Sequence, residues 1–259
     1  MPLDLPAPDT TRLERSPLEL VVCQVRHERR LTVAEGATAL AVHNALGGLG
    51  GQYPNLDEIA GVEVGVVLGG ASPNLSESKL SGWRFAAADG AWAVVVMPDH
   101  FALETKAYTT WSGDFAPRLE QLVDAVVEHV GPTFEQRLGL RYIDRITELE
   151  LGDVAAWAPY LRPEVLGLAL HPEIGQGVRS AHQQLLIELD TGVQAGLRHG
   201  PVVDENVPHV AYQLDFDIFR QSGRPFDPQG IKRTATQFNM YALQLFQATV
   251  TDRLLDALR

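Results

Sequence analysis

The chain has 259 residues, 45% hydrophobic and 21% charged, the composition of a globular protein with a substantial core and not of a disordered or fibrous one. Its 21 lysines and arginines face 33 aspartates and glutamates, a net charge of −12. That balance argues against a broad nucleic-acid surface, since such surfaces gain affinity by counterion release from basic clusters.

Residues 1–16 hold three prolines, scattered charge and no periodicity, which predicts a flexible N-terminal arm that folding can dispense with. The start lacks the basic and apolar regions of a signal peptide, and no later stretch is apolar enough to span a bilayer. The single cysteine, Cys23, sits among Val21, Val22 and Val25 as a small buried hydrophobe, which fits a reducing compartment. The expectation is a cytoplasmic protein that binds no membrane.

The fold starts near Pro17. Leu18, Leu20 and Val22 alternate as in a half-buried strand, and residues 34–46 form a short helical pattern. The glycines at 47, 48, 50 and 51 read as a loop, since no Lys or Ser/Thr stands at phosphate-loop spacing. A strand over 62–70 and a polar loop over 71–80 lead into a meander over 83–111, in which Asp89-Gly90 is a two-residue turn. A helix follows over 114–130, with Asp114 as its N-cap and Phe115, Leu119, Leu122, Val123, Val126 and Val130 on one stripe, and Gly131-Pro132 stops it.

The second half repeats that order. Residues 137–146 alternate as a strand, 153–170 offer helical pieces broken by Pro159 and Pro163, and three strands fall within 182–190, 193–200 and 209–219. A long closing helix is signalled by Asp227 and Pro228, with Ile231, Ala235, Phe238, Ala242 and Leu245 as its apolar stripe. The predicted fold class is α+β, with two pseudo-repeated halves, 17–132 and 133–259, each an antiparallel β-meander backed by a long helix. A doubly wound nucleotide-binding fold is excluded, because it needs regular strand–helix alternation and a Gly-rich first turn.

Several short stretches taken together carry a resemblance. They are Trp83-Arg84-Phe85, Asp89-Gly90, Leu103-Glu104-Thr105 with Tyr108 and Trp111, Gly139-Leu140-Arg141-Tyr142-Ile143-Asp144-Arg145-Ile146, and Leu214-Asp215-Phe216-Asp217 before the closing helix. In this order they resemble a sporadically distributed bacterial family of proteins of this length with no assigned activity. The resemblance runs from about Pro17 to Leu258, implies no catalytic residues, and would place asparagine where this chain has Asp144.

Asp215 and Asp217, two apart on a strand, share a face and invite a metal reading, against a solvated or salt-bridged outer face. No EF-hand loop, HExxH helix or paired Cys/His spacing supports the metal, so neither metal nor cofactor is expected. Asp144 shares a face with Leu138, Leu140, Tyr142 and Ile146, where an unpaired carboxylate would cost several kcal/mol, so it needs a partner such as an arginine on a neighbouring strand. Arg141 and Arg145 share the other face, either as structural partners or as forked donors for an anion. Glu104 with His100 makes a possible general-base pair, against ordinary cross-strand charge pairing. Trp111 either lines a groove for a ligand or partner chain or packs onto the following helix.

The reading that leads is a non-enzymatic protein-binding or regulatory accessory protein of the bacterial cytoplasm, antitoxin-like by analogy with the sporadic distribution of that family. It would use a mixed-charge sheet face, formed by Gln213, Asp215, Asp217, Arg141 and Arg145, to bind a protein partner or a second copy. The alternative is an enzyme or small-ligand binder with a pocket between the halves that uses Glu104, His100, Arg141 and Asp144. Direct DNA recognition ranks third, since no basic helix emerges.

Overall fold

Val21, Cys23, Val25 and His27 recur at every second position and are all buried, and the chain through them is strand β1, Leu18–His27. Burial pushes the Cys23 thiol up to about 12, so it is an inert core group and no nucleophile. The structure, a computed structural model, describes residues 3–67, 74–147, 149, 155–178, 180–203 and 210–259. Among these the remaining strands are β2 Asn55–Val67, β3 Asn74–Ala86, β4 Trp92–Met97, β5 His100–Thr105, β6 Phe134–Ile146, β7 Gln183–Asp190, β8 Val193–Val203 and β9 Val210–Pro225. The helices are α1 Gly36–Ala45, α2 Ala116–His129, α3 Pro163–Leu166, α4 Pro228–Thr249 and α5 Asp252–Leu258, so the protein is α+β. The hydrogen-bonded strand order is β2-β3-β4-β5-β1-β6-β9-β8-β7. The pairs β2/β3, β3/β4, β4/β5, β7/β8 and β8/β9 are antiparallel.

The chain clusters into two compact units, one of residues 1–21, 139–221 and 234–259, the other of 22–138 and 222–233. The first 21 residues therefore belong with the second half of the chain and not with the first. Along the sequence the first meander has four strands, β2 to β5, and the second has three, β7 to β9.

In the unit holding residues 22–138, the inward face of β3 to β5 supplies Phe85, Val94, Val96, Phe101 and Leu103. The predicted α2 stripe of Leu119, Leu122, Val123 and Val126 is buried with them. Gly131 ends α2 in the left-handed region at φ 62°, where only a residue without Cβ is unstrained. Gly90 does the same for the Asp89-Gly90 turn at φ 69°. Two local expectations are corrected. Residues 74–80 are the start of β3 and not a loop, because β2 offers a backbone partner to each of them in the register from Gly61↔Leu80 to Val67↔Asn74. The rest of that expected loop, and residues 68–70 of the expected strand, lie outside the described residues. Asp114 is not the N-cap: a one-turn π-helix, Trp111–Phe115, precedes α2, and Thr110 Oγ1 caps it by accepting from the Gly113 amide. Asp114 instead binds Arg118 and the Thr109 hydroxyl.

In the other unit, Leu214, Phe216 and Ile218 of β9 and Ala235, Phe238, Ala242 and Leu245 of α4 are buried. The Tyr142 hydroxyl on β6 donates to Asn239 Oδ1 of α4 at 2.7 Å, so α4 lies on the face of β6 that carries the even-numbered side chains. The closing helix is two helices: the chain breaks at Val250, which bridges to Leu161, and Thr251 caps α5 by accepting from the Leu254 amide. The N-terminal arm has no regular structure, yet it is fastened. The Leu3 amide donates to the Leu189 carbonyl at 2.8 Å, Asp9 and Gln247 exchange hydrogen bonds in both directions at 2.9 and 2.7 Å, and the Arg15 amide donates to the Leu258 carbonyl at 2.9 Å. These contacts hold the arm to β7, α4 and α5. They are mostly to backbone groups and amide side chains, which leave no hydrophobic period to read.

Candidate functional site

The face of this unit opposite α4 is built by register. Arg198 on β8 stands across from Asp215 on β9, and Gly196 stands across from Asp217. From β6, Arg141 sends a fork onto the same carboxylate: its Nε and Nη2 donate to Oδ1 and Oδ2 of Asp215, both at 2.7 Å. Arg198 Nε lies 3.4 Å from Oδ2. The Asp215 side chain is 3% exposed, against 38% for Arg141 and 47% for Arg198, so two solvent-reaching guanidiniums roof a buried anion. Burying a carboxylate costs several kcal/mol unless it is paired and hydrogen-bonded, and the bidentate fork meets that condition. The Asp215 hydrogen bond is also the main reason the Arg141 guanidinium is held above its ordinary pKa, with a further contribution from Asp217.

Of the solvated and salt-bridged outer-face readings, Asp215 takes the salt-bridged one, and the face cannot lose it cheaply. Arg145 also has its own partner, Glu19 on β1 at 3.1 Å, which separates it from Arg141. The donors expected to present a fork to an external anion are already engaged. Arg141 and Arg198 against Asp215 and Asp217 leave no formal charge. No group of three or more His, Cys, Asp or Glu side chains that could hold a metal occurs among the described residues.

Asp144 departs most from expectation. It lies on β6 with Tyr142 and Ile146, on the face toward α4, and is 7% exposed. The arginines of its own strand point to the other face, and no ion pair or hydrogen bond to Asp144 exists among the described residues. The arginine partner expected for it goes to Asp215 instead. With nothing to offset desolvation, burial pushes its carboxyl up to about 7.

In the unit holding residues 22–138, Glu104 and His100 do not converge. They are four residues apart on β5, roughly 13 Å by the ordinary strand rise. Glu104 accepts from Arg84 Nη1 at 2.9 Å, and the His100 ring bonds through Nδ1 to Asp99 Oδ1 at 2.7 Å. Asp99 also accepts from Arg26 at 2.8 Å. The His100 bond, and after it that of Arg26, hold the Asp99 carboxyl well below the usual carboxylate range. Each expected catalytic group is thus one half of a separate polar pair. Trp111 is half-buried and stacks on Phe115 with centroids 5.3 Å apart, at the start of the following helix. An open depression of about 620 Å³ beside Asn55, Asp57 and Asp89 contains none of the expected site residues.

Arg198, Asp99 and Arg26 are side chains bound into these clusters that the sequence alone does not single out. Arg198 stands in an alternating strand, but its place opposite Asp215 depends on the β8/β9 register, for which single-sequence spacing gives no signal. No protein-family model matches the chain, and no curated protein is detectably similar to it. Among the described residues no helix is long and apolar enough to cross a membrane.

Proposed function

We propose that the protein is a non-enzymatic recognition module, a regulatory or accessory protein of the bacterial cytoplasm, whose mixed-charge sheet face binds a protein partner. The observation that carries this reading is the Arg141–Asp215–Arg198 arrangement. It holds two partly exposed guanidiniums rigidly over a buried carboxylate, with Asp217 beside them. Fixed charges of both signs, with no net excess, complement another protein's surface by position and disfavour a polyanion, which needs uncompensated positive charge. The resemblance to a bacterial family, and the single buried cysteine, support the cytoplasmic placement.

The test compares co-purification from the native host by wild type, Arg198→Ala and Glu104→Gln, with retained proteins and small molecules both identified by mass spectrometry. Arg198→Ala keeps the Arg141–Asp215 pair and should weaken the retained protein's binding by about tenfold, while Glu104→Gln leaves it unchanged. Retention insensitive to Arg198→Ala, together with a turnover abolished by Glu104→Gln, would reject the module and promote an enzyme.

A further inference from the structure

Strand β7, Gln183–Asp190, has β8 on one side and closes the strand order at that end. Leu185 is 42% exposed and Leu186 67% exposed, on opposite faces of the strand. The stretch from Gln183 to Glu188, ahead of the irregularity between Glu188 and Asp190, has apolar side chains on both faces and no lysine, proline or inward charge, which makes it a template for another strand. Along the outer side of β7, among the described residues, the arm takes the Leu189 carbonyl through the Leu3 amide at 2.8 Å.

What such a strand must satisfy follows from the rows already fixed across the sheet. On the face away from α4, Gln184 continues the row Arg198–Asp215, and Leu186 continues the row Gly196–Asp217. On the face toward α4, Leu185 continues Leu197–Phe216, and Ile187 continues Ala195–Ile218. We propose that the occupant is a second copy of this chain, its β7 antiparallel to the first and centred on Leu186, so that the two sheets join across a two-fold axis. In that register Leu186 meets Leu186, Leu185 meets Ile187, and Gln184 meets Glu188. On the face toward α4 apolar rows run into apolar rows, and on the other face each Glu188 carboxylate, which accepts from the Gly192 amide and Gln194 of its own hairpin, arrives beside Gln184 with Arg198 on the next strand. No like charges stand opposite each other, and the even pairing sum keeps each side chain on its own face, whereas a one-residue slip would turn one copy over. The interface is isologous, the ordinary form of a closed dimer. It rests on the backbone edge and the side chains of β7, and shares with the Asp215 face only Arg198, which lies one strand in.

Sedimentation equilibrium of the full chain, from low micromolar to several hundred micromolar, tests the pairing. The wild type should show a monomer–dimer equilibrium. Leu186→Lys, at a position exposed enough to keep the fold, sets two ammonium groups against each other at the axis and should raise the dissociation constant at least about tenfold. Gln184→Lys should tighten the dimer by about two- to tenfold through a new pair with Glu188, and Gln184→Glu should loosen it by a similar factor. Circular dichroism confirms that each variant is folded, and the Gln184 pair decides the matter if Leu186→Lys is not. A wild type that stays monomeric throughout, a dimer indifferent to Leu186→Lys, or Gln184 variants that shift the equilibrium in the same direction would overturn the proposal.

Discussion

Replacing Asp144 by asparagine removes an ionisable group that the folded protein holds against solvation. In the unfolded chain its carboxyl titrates near the ordinary 3.8, and in the folded protein near 7, a gap worth about 4 kcal/mol once both forms are ionised. The raised value fixes the sign. Below about pH 4 both states are protonated and the aspartate costs nothing extra. Between there and about pH 7 the unfolded chain sheds a proton that the native state keeps, so stability falls as pH rises, and the loss levels off above the folded value. Asparagine has no such dependence, and any constant cost of burying its amide cancels in a comparison across pH. Urea unfolding of wild type and Asp144→Asn should therefore diverge, the variant gaining about 2–3 kcal/mol on the wild type between about pH 5 and pH 8. A stability difference flat across that interval would refute the reasoning and mean that Asp144 is solvated or paired in solution.

Removing residues 3–15 should lower unfolding free energy by about 1–3 kcal/mol, since several exposed hydrogen bonds to α4, α5 and β7 are lost; an unchanged melting temperature would show that the arm contributes nothing. Phe238→Ala deletes a fully buried ring of α4 and should cost about 3–5 kcal/mol in chemical denaturation, a near-neutral result contradicting its place in the core. Asp215→Ala leaves Arg141 and Arg198 facing each other and should cost about 2–3 kcal/mol, less than for a fully enclosed pair because both guanidiniums reach solvent. High salt should partly relieve that loss by screening the two arginines, and an indifferent variant would mean that the pair is not formed.

The helices and most strands were legible because their side chains report the period directly: every member of the α2 stripe from Phe115 to Val130 is buried, and so are the even positions 138 to 146 of β6. Residues 74–80 were not, since Ser76, Glu77 and Ser78 have loop composition and only the partner strand makes them extended. The site was legible by face and illegible by pairing. Spacing placed Arg141 and Asp215 on outer faces and Asp144 on an inner one, but which carboxylate an arginine reaches is set by register between strands more than 70 residues apart in sequence, 74 for this pair. A partner was expected for Asp144 itself, but the Arg141 fork goes to Asp215, and burial holds Asp144 toward its neutral form instead.

The arm that ties Asp9 to Gln247 bridges 238 residues of sequence. At ordinary translation speeds, about 5–20 residues per second, the arm waits roughly 10–50 s for its helix to be made. Until then its backbone amides and carbonyls are satisfied by water, and the unit that also needs residues 139–221 and 234–259 cannot close. A nascent chain can pair β2 to β5 while the first 21 residues are still idle and before residues 222–233 of the same unit are made, so the order of synthesis and the order of assembly part company here. Chaperone dependence or proteolysis during expression should accordingly fall on the first two dozen residues and on β7 to β9, while the earlier meander is already protected.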